Sequence, residues 1–477
     1  MSIVRNSVWS AGSALILGIG RVALNAIVAH KMPQDVFGAF SYGQWLIELS
    51  VLVGLLGATN AGSRFIAEYS DQVGKQYSFY KAWSYCSYFL PPLVGAVLFL
   101  LAQILGGYEI NNSLIFLAAW GVVNACCALQ NSLLVGLRRF DLLFISNFIT
   151  AIFSICGVYF LDQRSDVADL FALMMFSNFA SYFYVRLKRP ELSKAEGDIK
   201  VDWRSVMAFS INVWLSFLGA NLVWSRGEFP IIQAALGDGA IASYAAALTV
   251  FGAASQVLML GLSGVGAHVN VIWGQGLRQE AVTLSRSIMN FQLFIGAVFA
   301  ISIDAFSSVI MKLIFSDKYM NSSDTLSIIA YGLVAFSISS QSQLLQLKTN
   351  ARFNRNVIMF GIGILYIFAA IAIPKIGIAG AAFARLITTF FVAATTIFFV
   401  VKYFGNSAVR LRYLCMISVV LISSRLAFWW EGDDLRRFGV LTVMNFLLVL
   451  VYYFECRSET PVVRVVAFLS KLSGRRS

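Results

Sequence analysis

Hydrophobic positions occur in this chain as long runs, and each run is long enough to cross a bilayer. A helix rises about 1.5 Å per residue, so about 20 mostly apolar residues span the ~30 Å of hydrocarbon. The runs predict fourteen helices, at 7–29, 38–62, 82–105, 114–136, 142–161, 167–187, 206–225, 240–262, 287–310, 325–347, 356–374, 376–401, 413–430 and 438–455. The longest polar connector runs from Lys188 to Ser205, too short for a soluble catalytic or nucleotide-binding domain. The expected fold class is an all-α polytopic membrane protein.

Composition agrees with the pattern. The chain is 58% hydrophobic and 13% charged, with mean hydropathy +0.75, whereas a soluble domain is about one quarter charged. With the N-terminus in the cytoplasm, cytoplasmic segments carry 25 Lys and Arg, outward loops carry 8, and 3 lie inside spans. Basic residues gather in short cytoplasmic loops, so the bias predicts that both termini are cytoplasmic. The net charge of +12 follows from the same rule and from attraction to anionic lipid, and does not indicate nucleic acid. Six cysteines without CxxC spacing predict no disulfide framework. His30 and His268, the only histidines, lie far apart in sequence, so neither a metal site nor another cofactor is expected. The first span carries Arg21 and lacks a clean cleavage site, which reads as a retained helix.

Two short echoes point to an internal repeat. Asp35-Val36-Phe37-Gly38-Ala39-Phe40-Ser41-Tyr42 resembles Asp238-Gly239-Ala240-Ile241-Ala242-Ser243-Tyr244, and Arg138-Arg139-Phe140-Asp141 resembles Ala351-Arg352-Phe353-Asn354. Six crossings return a chain to the same side, so the repeat would be parallel, about an axis along the membrane normal. The predicted units are an N-lobe at 1–187, a basic linker at 188–205, a C-lobe at 206–401, two extra spans at 402–455 and a basic tail at 456–477. In the tail, Val465, Phe468, Leu469 and Leu472 share one face opposite Arg464 and Lys471, the pattern of a helix lying on the membrane surface.

Charges inside the spans carry the candidate chemistry. A central Arg costs about 2.5–3.5 kcal/mol on insertion scales, so it is expected to face protein or a wet cavity. Arg21 ends a small and polar stripe of Ser7, Ser10, Ala14 and Gly18 that continues to Asn25. Asn212, Ser216, Gly219 and Arg226 share a face near the end of span 7, followed by Glu228 and Pro230. Arg385 shares a face with Ala381, Thr388 and Thr396, and Ser41, Gln44 and Glu48 follow helical spacing in span 2. Two readings stand: Arg21 and Glu48 merely pair across helices, or basic groups of both halves line one cavity with Glu48 as charge partner or proton carrier. Arg425, near the outer end of span 13, is expected to snorkel to the interface.

The order of these signals resembles the multidrug/oligosaccharidyl-lipid/polysaccharide exporter superfamily, and its polysaccharide-transporter branch of Wzx-type O-antigen flippases. The matching stretches are Asp35-Val36-Phe37-Gly38, Ser63-Arg64-Phe65-Ile66-Ala67-Glu68-Tyr69, Leu236-Gly237-Asp238 to Tyr244, and Pro374-Lys375-Ile376-Gly377-Ile378-Ala379-Gly380-Ala381-Ala382. The resemblance implies two six-helix bundles forming a V, with two further C-terminal helices. It also implies export of an isoprenoid-diphosphate-linked oligosaccharide, such as an O-antigen repeat unit, across a bacterial inner membrane. A polysaccharide polymerase and a chain-length regulator would then be neighbours in the pathway. The expected substrate contacts are Arg21, Asn25, Gln44, Asn212, Arg226 and Arg385, with Glu48 as coupling or charge partner. Guanidinium groups suit a diphosphate because they form forked, charge-assisted hydrogen bonds. The alternative is a cation-coupled multidrug antiporter of the same superfamily. A membrane enzyme is disfavoured by outward loops poor in catalytic groups.

Both predicted termini are cytoplasmic. A reporter active only in the cytoplasm is therefore expected to work when fused at Ser477 and to be silent after Asn111; the reverse pattern contradicts the topology.

Overall fold

The computed structural model describes residues 3–69, 72–106, 112–162, 164–188, 201–338, 341–349, 352–430 and 434–456. Most of the predicted linker and nearly all of the basic tail lie outside the described residues. Among those described there is no strand. The helices are α1 (Ile3–Lys31), α2 (Gln34–Leu55), α3 (Ala58–Glu68), α4 (Val73–Gly106), α5 (Asn112–Gly136), α6 (Phe140–Phe160) and α7 (Val167–Lys188). They continue with α8 (Trp203–Asn221), α9 (Phe229–Leu236), α10 (Asp238–Gly274), α11 (Arg278–Ala305), α12 (Ser307–Phe315), α13 (Ser323–Ala330), α14 (Gly332–Ile338) and α15 (Ser342–Thr349). The last four are α16 (Arg352–Ile376), α17 (Ile378–Phe404), α18 (Leu411–Trp430) and α19 (Asp434–Cys456).

Thirteen described helices are long and apolar enough to cross a membrane, which makes this a multi-pass membrane protein. The tenth expected span is not one regular helix, since α13 ends at Ala330 and α14 begins at Gly332. The expected second span also stops early. Leu56 and Gly57 take left-handed backbone angles, φ 47° and 78°, which end α2 and start α3 in a new direction. Gly57 suits this bend twice over, because a Cβ there would meet the Ser210 carbonyl oxygen at 2.5 Å.

The two echoed segments pack against each other. Gln34 Nε2 donates to the Gly239 carbonyl at 3.1 Å and to Ser243 Oγ at 2.8 Å. Phe229 lies between the two echoed tyrosines, stacked on Tyr42 at 6.3 Å and edge-on to Tyr244 at 6.2 Å. Phe37 adds Phe315 and Tyr319 to the same buried cluster. These residues sit where α2, α9 and α10 begin, so an aromatic plug joins the early and late helices at that membrane face. At the other face, Phe209 of α8 meets Phe65 of α3 edge-on at 5.7 Å, and Trp214 Nε1 donates to the Leu52 carbonyl at 2.7 Å. Lipid tails are as apolar as these side chains, so close packing and hydrogen bonds hold such helices together, and small residues set how near they come.

Gly38 is the sharpest case, since a Cβ on it would lie 2.0 Å from the Asp238 carbonyl oxygen. That atom belongs to backbone and has little room to give. Gly38→Ala is expected to destabilise the protein by about 1–3 kcal/mol, the cost of overpacking, seen as a lower unfolding temperature in detergent. Gly363→Ala, at a position with nothing within 4 Å, is expected to leave that temperature unchanged or raise it. Equal behaviour of the two variants contradicts the close approach.

Candidate functional site

The end of α8 creates the site. Residues Leu222–Arg226 form a π-helical turn, and Pro230 stands in the first turn of α9. A wider turn breaks the regular ladder and re-aims side chains and carbonyls. Here it directs the Trp224 and Ser225 carbonyls toward α17 and turns Arg226 and Glu228 inward. Gly227 permits the fold-back, because a Cβ there would strike the Leu222 carbonyl oxygen at 2.2 Å.

Arg385 fills the space that the turn opens. It is 2% exposed and pairs with Glu228, which is fully buried. The pairing is forked: Nε donates to Oε1 and Nη2 to Oε2, each at 2.8 Å. Nη1 donates to the Trp224 carbonyl at 3.0 Å, Nη2 also reaches the Ser225 carbonyl, and Tyr244 donates its hydroxyl to Glu228 at 3.1 Å. Every carboxylate oxygen therefore has a donor.

Arg226 is different. It is 5% exposed, yet among the described residues no carboxylate lies within ion-pair distance of it. Its Nη1 donates to the Ser41 carbonyl at 3.1 Å and to Gln44 Oε1 at 3.3 Å, and its guanidinium lies 5.4 Å from the centre of the Phe229 ring. Arg21 pairs with Glu48, both side chains being partly exposed, and Ser225 Oγ donates to the same carboxylate at 3.4 Å. Asn25 Nδ2 donates to Thr249 Oγ1 at 3.0 Å, joining α1 to α10, while its Oδ1 is buried without a partner.

Arg21, Arg226 and Arg385 all line one cavity of about 200 Å³. The cluster thus brings three guanidinium groups together with two carboxylates, Glu48 and Glu228, and one positive charge is left over. Of the residues singled out from sequence, Arg21, Gln44, Glu48, Arg226 and Arg385 gather here, and Asn25 stands beside them. Asn212 does not join them. It is exposed, and its side chain donates to the Ala208 carbonyl of its own helix.

Glu228 and Tyr244 were missed as partners of Arg385. The signal was present, since Glu228 is an acid at the end of an apolar run and needs a cation near it. Arg425 also departs from expectation. Instead of snorkelling to the interface it pairs with Asp304 at 2.6 Å, and Asp304 accepts from Tyr331 at 2.6 Å and from Ser327. A buried carboxylate on α11 outcompetes the interface for that guanidinium, and so ties α18 to the interrupted helix.

The family model for "Polysaccharide biosynthesis protein" matches residues 3–265, more than half of the chain. Among solved structures, "Lipid II flippase MurJ, inward closed conformation" superposes with TM-score 0.71 at 12% identity, covering 94% of this chain and 99% of that one. An inward-facing multidrug resistance MATE family transporter of the MOP superfamily superposes with TM-score 0.59 at 13% identity, covering 84% and 94%. An outward-facing MATE transporter gives 0.54 at 14% identity, covering 83% and 94%. Among curated proteins no sequence match was found.

The two ion pairs are expected to behave differently. Removing one partner of a buried pair strands a charge and costs about 3–5 kcal/mol. A pair that stays partly exposed, as Arg21 and Glu48 do, leaves a less completely stranded charge when one partner is removed. Glu228→Gln should therefore sharply lower the amount of folded protein in the membrane, and Glu48→Gln should not. Fluorescence-detected size exclusion of tagged variants checks this; normal levels of Glu228→Gln contradict a structural role for that pair.

Proposed function

This chain belongs to the polysaccharide biosynthesis protein family, and from that premise we propose that it is a flippase for an isoprenoid-diphosphate-linked oligosaccharide. The substrate is a surface polysaccharide repeat unit, such as an O-antigen unit, carried from the cytoplasmic to the periplasmic leaflet of a bacterial inner membrane. The observation that supports this most is the cation without a carboxylate. Arg226 is buried, lines the cavity and has no ion-pair partner among the described residues. A buried charge is tolerated when an opposite charge or several hydrogen bonds meet it. A diphosphate held between Arg226 and Arg21 supplies that opposite charge through forked hydrogen bonds.

A second cavity gives the lipid a route. It measures about 310 Å³, is almost wholly apolar, and lies between α1 and α10. It shares Gly18, Val22, Ala253 and Gln256 with the arginine cavity. The exposed side chains Leu15, Ile19 and Val257 mark its lipid side. The isoprenoid chain stays in the bilayer along this groove while the diphosphate enters. The two six-helix lobes rock about the site, exposing it to each side in turn. Moving two negative charges outward across an inside-negative potential of 100 mV releases about 4.6 kcal/mol, provided that protein cations do not travel with them. The same excess positive charge repels cationic drugs, which disfavours the antiporter reading. The substrate is moved and not transformed, and a polymerase with its chain-length regulator takes it up on the far side.

Arg21→Ala should abolish surface polysaccharide with normal membrane levels of the protein. Arg21→Lys should restore only part, because it keeps the charge and loses the planar fork. Immunoblots of cell-surface polysaccharide and of membranes give both readouts. The double change Arg21→Ala with Glu48→Ala should stay inactive; recovery there means that Arg21 only neutralises Glu48 and overturns the ligand role.

A further inference from the structure

A third cavity, of about 560 Å³, lies between α16 and α17 and shares no lining residue with the arginine cavity. Its volume falls within the range of about 300–1,000 Å³ typical of small-molecule sites. The walls are aromatic, with Phe353 and Phe360 from α16 and Phe391, Phe399 and Tyr403 from α17. Phe353 and Phe399 meet at 4.9 Å. Phe360 and Phe391 are 71% and 39% exposed on helix faces that carry Phe390 and Phe398 in the open as well. The groove therefore opens sideways, where the bilayer lies, near the ends of α16 and α17 that the charge bias assigns to the cytoplasmic side.

Its rim is basic. Lys402 Nζ stands 5.6 Å from the centre of the Phe399 ring and is otherwise exposed. Lys348 is exposed in the last turn of α15, next to Thr349, which lines the groove. Arg355 Nε donates to Asn356 Oδ1 at 3.3 Å, and Asn356 lines the groove too. None of the three helices contributes a carboxylate, for the sequence has no Asp or Glu from Thr325 to Trp430.

We propose that this groove is a binding site for an anionic phospholipid of the cytoplasmic leaflet. One acyl chain lies along the aromatic walls, and the headgroup phosphate sits among Lys348, Arg355 and Lys402. Any lipid fills an apolar groove; it is the rim that selects. Basic pockets between helices on the cytoplasmic side attract anionic headgroups over zwitterionic ones. The isoprenoid carrier is a poorer fit here, because the cavity that receives its diphosphate in the proposed function has no lining residue in common with this one.

Native mass spectrometry of the purified full-length protein tests the site, using phosphatidylglycerol and phosphatidylcholine with identical chains. Wild type is expected to retain phosphatidylglycerol about tenfold better. Lys348→Gln with Lys402→Gln should bring the two lipids close to parity, and Thr395→Trp, which fills the groove, should remove bound phosphatidylglycerol. Lys312→Gln, at an exposed base elsewhere, should keep the preference. The two lysines are exposed, so the double variant reports even if Thr395→Trp does not fold. An unchanged preference in the double variant overturns the proposal. So does full displacement of phosphatidylglycerol by an isoprenyl phosphate, which would assign the groove to the carrier lipid.

Discussion

A guanidinium inside a membrane must be met by charge or by hydrogen bonds, and the interior of this protein is arranged around that demand. Arg385 is satisfied within the fold: Glu228 takes its fork, and two carbonyls freed by the π-helical turn take two more of its N–H groups. That arrangement fixes α17 to the end of α8 and holds the turn open. Arg226, projected by the same turn, is left with a carbonyl, an amide oxygen and a ring face. One arginine thus builds the site, and its neighbour has no carboxylate within ion-pair distance among the described residues. The partly exposed Arg21–Glu48 pair completes the wall nearest the apolar groove.

The helices around this cluster meet at both membrane faces. Aromatic side chains of α2, α9 and α10 form a plug at one face, and α8 leans on α2 and α3 at the other. The proposed rocking of the lobes would have to break contacts of this kind, whereas Arg385 and Glu228 are buried as a pair. The close backbone approach at Gly38 and the hydrogen bond from Asn25 to Thr249 are contacts between early and late helices that such a movement would strain.

Much of this was legible in the sequence. Span positions follow from the thickness of hydrocarbon, and thirteen described helices are long and apolar enough to cross a membrane, although the second expected run bends after Leu55. Helical spacing alone put Arg21 and Arg385 on polar faces, and an arginine on such a face has few places to go. The breaks were harder to read. The interruption after Ala330 and the left-handed bend at Leu56 are backbone events inside apolar runs, where hydropathy has no contrast to report. Partners were harder still. Glu228 and Arg385 are 157 positions apart, and only the fold decides that they meet. Asn212 had the right spacing but lies more than two turns before the part of α8 that lines the cavity, on its exposed side, where an asparagine satisfies itself with its own helix.

The central claim is that this protein moves a lipid by its diphosphate. Proteoliposomes test it most directly. The purified protein is reconstituted with a polyprenyl-diphosphate oligosaccharide in the outer leaflet, and a membrane-impermeant lectin reads how much becomes hidden. The account predicts rapid, protein-dependent loss of lectin access for the diphosphate lipid and little for an uncharged polyprenyl glycoside. Equal movement of both lipids, or none that depends on the protein, would contradict it.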